Sequence, residues 1–600
     1  MKIKLSKFIA DFLVENHITH MFTLTGGGAM HLNDAFGHKK GLTCIYNHHE
    51  QACAIAAEGY TRLSGELAGV CVTSGPGGTN AITGVLGGWL DSIPMFIISG
   101  QVKRETTLWA TDVPLRQLGD QEFNIVDCVK TMTKYAFMVT EPEDILYHFQ
   151  KALYLCKNGR PGPVWLDIPL DVQAAVIDTE HLRTFSPLEL ESLENPVYDV
   201  NLTEKIIEAI QKAKRPVILA GTGIRLSGAH QEFIECIEKL QIPVVTAWNA
   251  HDVLWDEHPL YCGRPGTVGT RGGNFIVQNC DLLLVLGCRM NIRMVSYNYR
   301  NFAKDAYKIV VDIDANELQK PTIHPDLPVH ANVKDVVQSI RQSDYCYNHM
   351  QDNWKQWCRY INEKYPATLP SYYDVKKILN PYVFITELCK ALNNEDVVVT
   401  GNGSACVITF QAANIKQGQR YFTNSGCAAM GYGFPAAIGA CVQRAGKRTI
   451  CIDGDGSFQM NIQELQTVVY NHLNLKIFYL NNNGYHSIRQ TQTNLFQPPL
   501  VGVCDGNGLS FPDANKIAKA YGIPFVRIDQ AEAIQEKLAQ VLESDGPVFC
   551  EVVVDPGQNF EPKLSSKVLP DGKIVSPSID DMYPFLPKEE YEKNKKMIMD

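Results

Sequence analysis

Two polar clusters in the last third of the chain could together bind a metal ion and a phosphate group. Asp455 lies in a Gly-Asp-Gly-Ser segment, and Asn482 and Gly484 lie in an Asn-Asn-Asn-Gly segment that begins at residue 481. Mg²⁺ prefers hard oxygen ligands, which a carboxylate, a side-chain amide and a backbone carbonyl supply. Glycines let the backbone approach a phosphate, and the free amides of a following helix favour an anion. We therefore predict a site for a diphosphate cofactor with a divalent metal, at Gly454, Asp455, Gly456, Ser457, Asn482 and Gly484.

The neighbouring sequence predicts how these clusters are positioned. Residues 448–453 and 475–480 are short apolar runs typical of strands, and residues 460–470 between them have the pattern of an amphipathic helix. Open α/β sheets bind ligands at the carboxyl ends of parallel strands, where both clusters would then lie. Either motif alone is more often an ordinary turn or loop, so the prediction depends on the pair.

Composition limits the classes of protein to be considered. The chain has 600 residues, 45% of them hydrophobic, and a net charge of −10. This length predicts about three to four domains. No apolar run reaches the roughly 18–20 residues that span a bilayer, and Asp11 and Glu15 interrupt the N-terminal apolar stretch, so we expect a cytoplasmic protein. The acidic charge, without a concentrated basic tract, argues against nucleic acid as a partner. The 18 cysteines are scattered through apolar segments and are expected to be reduced.

Alternation of strand and helix patterns divides the chain into α/β segments. We expect a first domain at residues 1–185, a middle domain at 195–342 and a third domain at 379–558 that carries the diphosphate motif. Residues 343–378 are expected to form a helical and irregular connection. Residues 559–600 are expected to form a tail that packs on the surface or over an active site.

Further segments match one enzyme family in the same order. Glu50 begins an Ala-rich helix after a strand, a position where a lone Glu is usually only a helix cap. However, residues 46–60, 73–80, 91–94, 159–163, 424–439 and 457–464 resemble the catalytic subunit of acetolactate synthase, a thiamine diphosphate enzyme. The resemblance covers nearly all of residues 1–560. It implies three doubly wound parallel-sheet α/β domains and thiamine diphosphate with Mg²⁺ as cofactors.

The resemblance also implies roles for single residues. Glu50 would hydrogen-bond the aminopyrimidine ring of the cofactor, and Met430 would hold the cofactor in a bent conformation. The loop of Gly28 would face the reacting carbonyl, and Gln121 would lie on the substrate side. His49 is a candidate acid/base group, as are His48 and His486, although each could be an ordinary hydrogen-bonded histidine. The other implied cofactor contacts are Thr73, Gly77, Asn80, Ser404 and Tyr485.

Members of this family carry FAD in the middle domain, and the chain keeps part of that pattern. Thr267-Val268 stands where the family has Met-His, and Asn291-Ile292 replaces an acidic pair, so an empty Rossmann-like domain is the alternative. The implied FAD contacts are Gly221, Gly223, Gly266, Gly287, Arg289, Arg293 and Asp312.

The expected reaction is decarboxylation of a 2-keto acid, with pyruvate as the default donor, and carbon–carbon bond formation to a carbonyl acceptor. Asp120, Leu170 and Thr491 depart from the acceptor side of the family. Two-carbon branching of a nucleotide-linked keto-sugar is therefore an alternative to 2-acetolactate formation. A non-catalytic cofactor-binding subunit is an alternative of another class, and an oxidase or a simple decarboxylase lies between. The resemblance implies a homodimer or a dimer of dimers, in which each cofactor lies between two subunits.

Overall fold

Three parallel sheets, each with helices packed on it, form the body of the protein. The structure is a computed structural model that describes residues 1–190, 195–347, 349–374, 378–568 and 572–599. Two sheets have six strands and the middle one has five. The strands of these three sheets are paired in parallel, which confirms the predicted fold class.

Domain 1 contains the first six-stranded sheet, with the strand order β3-β2-β4-β5-β7-β6. A separate antiparallel pair joins β1 to β8. Its strands are β1 Lys2–Lys4, β2 His20–Thr23, β3 Thr43–Tyr46, β4 Gly69–Val72, β5 Met95–Gln101, β6 Tyr135–Met138, β7 Pro163–Pro169 and β8 Val176–Asp178. Its helices are α1 Leu5–Glu15, α2 Met30–His38, α3 Glu50–Ser64, α4 Pro76–Asp91, α5 Ile125–Val129, α6 Ile145–Lys157 and α7 Leu170–Ala174. The central strands β4, β5 and β7 are buried along their whole length because helices cover both faces of the sheet.

Domain 2 contains the five-stranded sheet, in the order β10-β9-β11-β12-β13. Its strands are β9 Pro216–Ala220, β10 Val244–Thr246, β11 Leu282–Leu286, β12 Tyr307–Asp312 and β13 Leu327–His330. Its helices are α8 Asn201–Lys212, α9 Gly223–Leu226, α10 His230–Leu240, α11 Arg271–Asn279, α12 Ile292–Val295, α13 Val333–Gln342 and α14 Asp352–Lys364. Helix α14 lies in the expected connection, yet Trp354, Trp357 and Ile361 belong to the core of domain 2.

Domain 3 contains the second six-stranded sheet, in the order β15-β14-β16-β17-β19-β18. Its strands are β14 Val397–Thr400, β15 Arg420–Phe422, β16 Thr449–Gly454, β17 Leu475–Asn481, β18 Phe525–Ile528 and β19 Val548–Val553. Its helices are α15 Pro381–Ala391, α16 Ser404–Ala412, α17 Gly433–Gln443, α18 Asp455–Phe458, α19 Leu465–Tyr470, α20 His486–Leu495, α21 Ala514–Ala520 and α22 Ile534–Glu543.

The helix predicted at residues 460–470 is not continuous. Only α19 is α-helical in that range, after a 3-10 segment at Gln459–Glu464. Asn461 has a φ of −133°, outside the helical region, and its side-chain amide donates to the Gly431 carbonyl at 2.7 Å and to Gln51 Oε1 at 3.0 Å. These tertiary hydrogen bonds override the local periodicity.

After domain 3 the chain runs back over domain 2. The tail forms an antiparallel pair, β20 Lys567–Val568 with β21 Ile574–Val575, and a helix, α23 Lys588–Lys595. Tyr365 at the end of α14 donates to Glu590 and accepts from Asn594 at 2.7 Å. The tail is thereby fixed to domain 2.

Two further expectations concern membranes and thiols. Among the described residues, no helix has the length and apolar character needed to cross a bilayer. All 18 cysteines lie in the described ranges and form no disulfide, and most are buried, as expected for structural thiols.

Domains 1 and 3 meet where α3 crosses α17. A Cβ atom on Gly439 would clash with the carbonyl oxygen of Ala56, and one on Gly59 would clash with that of Ala436. At the edge of this contact, Tyr432 donates to Glu58 at 2.7 Å. Glycines thus bring the two helix backbones into direct contact.

We expect Gly439→Val to destabilise the protein, because neither helix can yield to the added side chain without moving its backbone. Overpacking typically costs about 1–3 kcal/mol, and this position should lie at the upper end. A lowered thermal midpoint checks the expectation. Gln443→Ala, at the partly exposed end of the same helix, is the control and should leave the midpoint nearly unchanged.

Candidate active site

The metal-binding candidates come together at the ends of two adjacent strands. Strand β16 pairs in parallel with β17, with Gly454 opposite Leu480, so the residues that follow each strand lie side by side. Asp455 accepts hydrogen bonds from the Gly484 amide at 2.9 Å through Oδ2 and from the Gly456 amide at 2.7 Å through Oδ1. The carboxylate is therefore held in one orientation.

Asn482 completes this arrangement with an unused acceptor. Its Nδ2 donates to Ser404 Oγ at 3.1 Å, while its Oδ1 is buried and has no hydrogen-bond partner among the described residues. A buried acceptor without a partner is costly, and a bound cation would satisfy it. Asp455, Asn482 and the loop at Gly484 thus fit a hard metal ion.

Burial also changes the acidity of this carboxyl group. It raises the pKa of Asp455 to about 6, against the opposing effect of hydrogen bonds from the amides of Gly484 and Gly456. The group is ionised at neutral pH but takes up a proton in mildly acidic solution.

A cavity of about 860 Å³ opens in front of these residues. Met430 and Tyr485 contribute to its wall, and both would be close to any side chain placed at Gly456. The Gly431 amide donates to Ser457 Oγ at 2.9 Å, which fixes the Met430 loop over α18. The sequence-predicted residues that line this cavity are Ser404, Met430, Gly454, Asp455, Gly456, Ser457, Asn482, Gly484 and Tyr485.

The predicted residues of domain 1 form a second cluster. Glu50 begins α3, is 7% exposed, and accepts a hydrogen bond from Asn80 Nδ2 at 3.0 Å. The Gly28 amide donates to Thr73 Oγ1 at 3.0 Å, and Gly77 lies in the first turn of the α4 helix that follows Thr73. These residues lie at the carboxyl ends of strands in the first sheet.

Gln121 and His49 have clear local surroundings. Gln121 lies in an exposed loop with a φ of 59°, and its carbonyl packs directly on Gly75. His49 is the N-cap of α3, because its Nδ1 accepts from the Gln51 amide at 3.1 Å. The histidine therefore has a structural role at the start of the Glu50 helix.

Within one chain the two clusters do not share a cavity. The residues that line the 860 Å³ cavity come from domain 2, domain 3 and the tail, and include none from domain 1. The lining thus lacks all four predicted catalytic residues, Glu50, Gly28, Gln121 and His49.

A contact that the sequence did not reveal links the two domains behind the site. Glu464 accepts from Asn47 Nδ2 at 2.9 Å and from the His48 amide at 2.9 Å, just before α3. No local pattern identifies Glu464, because its partners lie more than 400 residues away in the chain.

Another cavity, of about 530 Å³, lies between domain 2 and domain 1, at the ends of β9, β11 and β12, and residues 90–92 and 157–161 also line it. Burial raises the pKa of Asp312 to about 6. Five of the predicted FAD contacts line this cavity, namely Gly221, Gly223, Gly287, Arg289 and Asp312. Gly266 and Arg293 do not. The Gly266 amide instead donates to Asn274 Oδ1 at 2.8 Å, and Arg293 lines the larger cavity of domain 3.

The larger cavity also contains His486, a predicted acid/base candidate, and several residues that the sequence analysis missed. His486 is buried, and neither ring nitrogen has a hydrogen-bond partner among the described residues. Burial lowers the pKa of His486 to about 4, so the ring is neutral at pH 7. Phe560 and Lys563 reach the cavity from the tail and Trp248 from domain 2.

Comparison with known proteins agrees with this division into three domains. Residues 3–126 match the model of the N-terminal TPP binding domain of thiamine pyrophosphate enzymes, and residues 203–340 match the central domain. Residues 401–552, with both halves of the metal-site motif, match the C-terminal TPP binding domain. The chain belongs to the thiamine pyrophosphate enzyme family. Thiamine diphosphate is the cofactor of this family.

The relatives of this family member are acetolactate synthase large subunits. A probable acetolactate synthase large subunit of Methanocaldococcus jannaschii is 32% identical and covers 94% of this chain and 95% of the relative. The acetolactate synthase large subunit of Cyanidium caldarium is also 32% identical, over 93% and 94%. The isozyme 1 large subunit of Escherichia coli is 30% identical, over 93% and 95%.

We expect metal affinity at this site to fall below about pH 6. A metal ion binds the ionised carboxylate, so protonation of Asp455 competes with it and weakens binding by up to about tenfold per pH unit. Titration of the cofactor-free protein with Mn²⁺, followed by electron paramagnetic resonance from pH 5 to pH 8, measures this. Asp455→Asn should bind Mn²⁺ weakly at every pH. A wild-type affinity that is constant across this range would contradict the assignment.

Proposed function

We propose that the protein is a thiamine diphosphate- and Mg²⁺-dependent enzyme that decarboxylates pyruvate and joins the two-carbon unit to a second 2-keto acid, giving 2-acetolactate. The observation that carries this proposal is the orphaned Asn482 Oδ1 beside the oriented Asp455 carboxylate, in a domain of the thiamine pyrophosphate family. The names of the relatives support pyruvate as the donor. They do not favour keto-sugar branching or a non-catalytic role.

The two clusters of residues would bind different parts of the cofactor. Asp455, Asn482 and the Gly484 carbonyl would hold Mg²⁺, and the amides at the start of α18 would bind the diphosphate. When bound, thiamine diphosphate would supply the nucleophilic carbon and the electron sink for decarboxylation. Glu50 would hold a proton at the pyrimidine ring of the cofactor, and the Asn80 hydrogen bond orients its carboxylate. The apolar side chain of Met430 would pack against the cofactor.

These roles require a second copy of the chain. Glu50 does not line the cavity of its own Asp455, so a complete site needs the Glu50 cluster of one subunit against the Asp455 cluster of another. Domains 1 and 3 both leave large apolar side chains exposed, including Trp109 at 56%, Leu115 at 43% and Phe496 at 65%. A homodimer of C2 symmetry would cover them and form two identical sites.

FAD in domain 2 is part of the same proposal. The 530 Å³ cavity lies at the carboxyl ends of three adjacent strands, where dinucleotides bind in sheets of this kind. Asp312 would accept a hydrogen bond from a ribose hydroxyl, and Arg289 supplies positive charge in the lining, whereas Arg160 is ion-paired with Asp314 and Glu317. The flavin would have a structural role, because the proposed reaction has no net redox step.

The proposed function predicts 2-acetolactate from pyruvate alone. The purified protein is incubated with thiamine diphosphate, Mg²⁺ and pyruvate, and the products are identified by mass spectrometry. One 2-acetolactate and one carbon dioxide should form for every two pyruvates consumed. Acetaldehyde as the main product would indicate a simple decarboxylase, and bleaching of a bound flavin by pyruvate would indicate an oxidase. Either result would overturn the proposal.

A mixing experiment tests the shared site. Glu50→Gln and Asp455→Asn should each be nearly inactive, because each removes one group from both sites of the dimer. After dissociation and random reassociation, heterodimers contain one intact site, so about a quarter of the wild-type activity should return. If Glu50 and Asp455 of the same chain served one cofactor, mixing would restore nothing. Reassociated homodimers of each variant are the controls.

A further inference from the structure

The outer wall of the cofactor cavity is built by the C-terminal tail. Phe560, Lys563, Leu564, Ser566 and Ser576 all line it, opposite residues from domain 2 and domain 3. Only three residues of the lining carry formal charges, namely Arg293, Asp455 and Lys563. Because the metal takes Asp455, the remaining charges of the lining are both positive.

Backbone hydrogen bonds fix the position of Lys563. Its amide donates to the Tyr583 carbonyl at 2.9 Å, and the Tyr583 amide donates back to the Lys563 carbonyl at 2.8 Å. The next residue, Leu564, donates to the Thr267 carbonyl at 2.7 Å, and the Thr267 amide donates to the Arg293 carbonyl at 2.8 Å. Thr267 of domain 2 thus forms backbone hydrogen bonds with both the segment that carries Lys563 and the segment that carries Arg293.

Both cations lack an anionic partner within the described ranges of the chain. No carboxylate lies within ion-pair distance of Lys563 or Arg293, and the Arg293 guanidinium lies over the Trp248 ring at 5.0 Å. Burial lowers the pKa of the Lys563 ammonium, against the opposing influence of Glu561. A half-buried charge without a partner is unfavourable unless a ligand supplies one.

His486 adds a second group of this kind on the same side of the cavity. Its ring packs against Phe560 of the tail with centroids 5.1 Å apart, and its two buried nitrogens form no close hydrogen bond among the described residues. Burial lowers the pKa of the ring, although the nearby Gln558 backbone opposes this shift. A neutral ring can donate one hydrogen bond and accept another. Together with the hydroxyls of Ser566 and Ser576, it makes the tail side of the cavity polar.

We propose that Lys563 is a specificity-determining residue that binds an anionic group, a carboxylate or a phosphate, of the acceptor substrate. The inference rests on the proposed carboligase function, because it assigns the acceptor end of the same site. The tail then contributes to substrate recognition, since Lys563 enters the cavity only when the tail is docked on Thr267 of domain 2. Neutral carbonyl compounds gain nothing from Lys563 and are poorer acceptors.

Binding to the holoenzyme tests this without turnover. Protein saturated with thiamine diphosphate and Mg²⁺ is titrated calorimetrically with 2-hydroxybutyrate, which lacks the reactive carbonyl, with its neutral amide, and with inorganic phosphate. Lys563→Gln should weaken binding of 2-hydroxybutyrate or of phosphate at least about tenfold, as expected for loss of a hydrogen bond to a charged group. Weaker binding of 2-hydroxybutyrate indicates that the acceptor carries a carboxylate. Weaker binding of phosphate indicates that the acceptor is phosphorylated.

The controls separate this role from a structural one. Lys563→Arg should restore most of the anion affinity, and Lys588→Gln, which removes an exposed lysine from α23 of the same tail, should change nothing. The affinity for thiamine diphosphate and for the neutral amide should stay the same in Lys563→Gln. The inference is overturned if neither anion binds more weakly, if only cofactor binding is lost, or if Lys588→Gln has the same effect.

A competition assay distinguishes failure of the inference from failure of the proposed function. With pyruvate and a neutral aldehyde offered together, Lys563→Gln should shift products from 2-acetolactate towards the aldehyde adduct. An unchanged product ratio in an active variant contradicts the role of Lys563 alone. If the wild-type protein forms no 2-acetolactate, the proposed function fails, and the calorimetric result still decides whether Lys563 binds an anion.

Discussion

The hydrogen bond from the Gly484 amide to Asp455 is the contact on which the rest of the site depends. It joins the loops that follow two neighbouring parallel strands, β16 and β17, and it orients a buried carboxylate whose other oxygen accepts from Gly456. Asn482, directly after β17, adds a buried amide oxygen that has no hydrogen-bond partner among the described residues. The spacing of the parallel strands fixes the distance between the loops that carry Asp455 and Asn482. The loops themselves have only to supply side chains of the right chemistry.

The closeness of Asp455, Asn482 and Gly484 could be predicted from the sequence because these residues belong to one strand-helix-strand unit. The strands at 448–453 and 475–480 were found within one residue at each end, and the ligands follow directly from where the strands end. Helix α14 could also have been assigned to domain 2, since Trp354, Trp357 and Ile361 recur at helical spacing on one face. The break in the helix at Asn461 could not have been predicted, because it is associated with a hydrogen bond to Gln51, which lies 410 positions away in the chain.

The residues that line the cavity walls were harder to predict from the sequence, because their positions also depend on contacts between residues far apart in the chain. Lys563 and Phe560 lie in a segment without periodicity, and their place depends on backbone bonds to Thr267 and Tyr583. Gly266 and Arg293 fit a dinucleotide motif by spacing, but the structure places them elsewhere, because spacing does not determine which side of a loop faces a ligand. Family membership, in contrast, could be inferred from ordered motifs alone.

The glycine contact between α3 and α17 has a consequence for how ligands reach the site. Where backbone touches backbone there is no layer of side chains to change rotamer, so domains 1 and 3 of one chain behave as a single rigid body. Cofactor exchange and product release therefore have to use the sides where side chains or the tail form the wall. In the proposed function, undocking of the tail from domain 2 would therefore control cofactor exchange and product release, while the chemistry would depend on the residues inside the cavity.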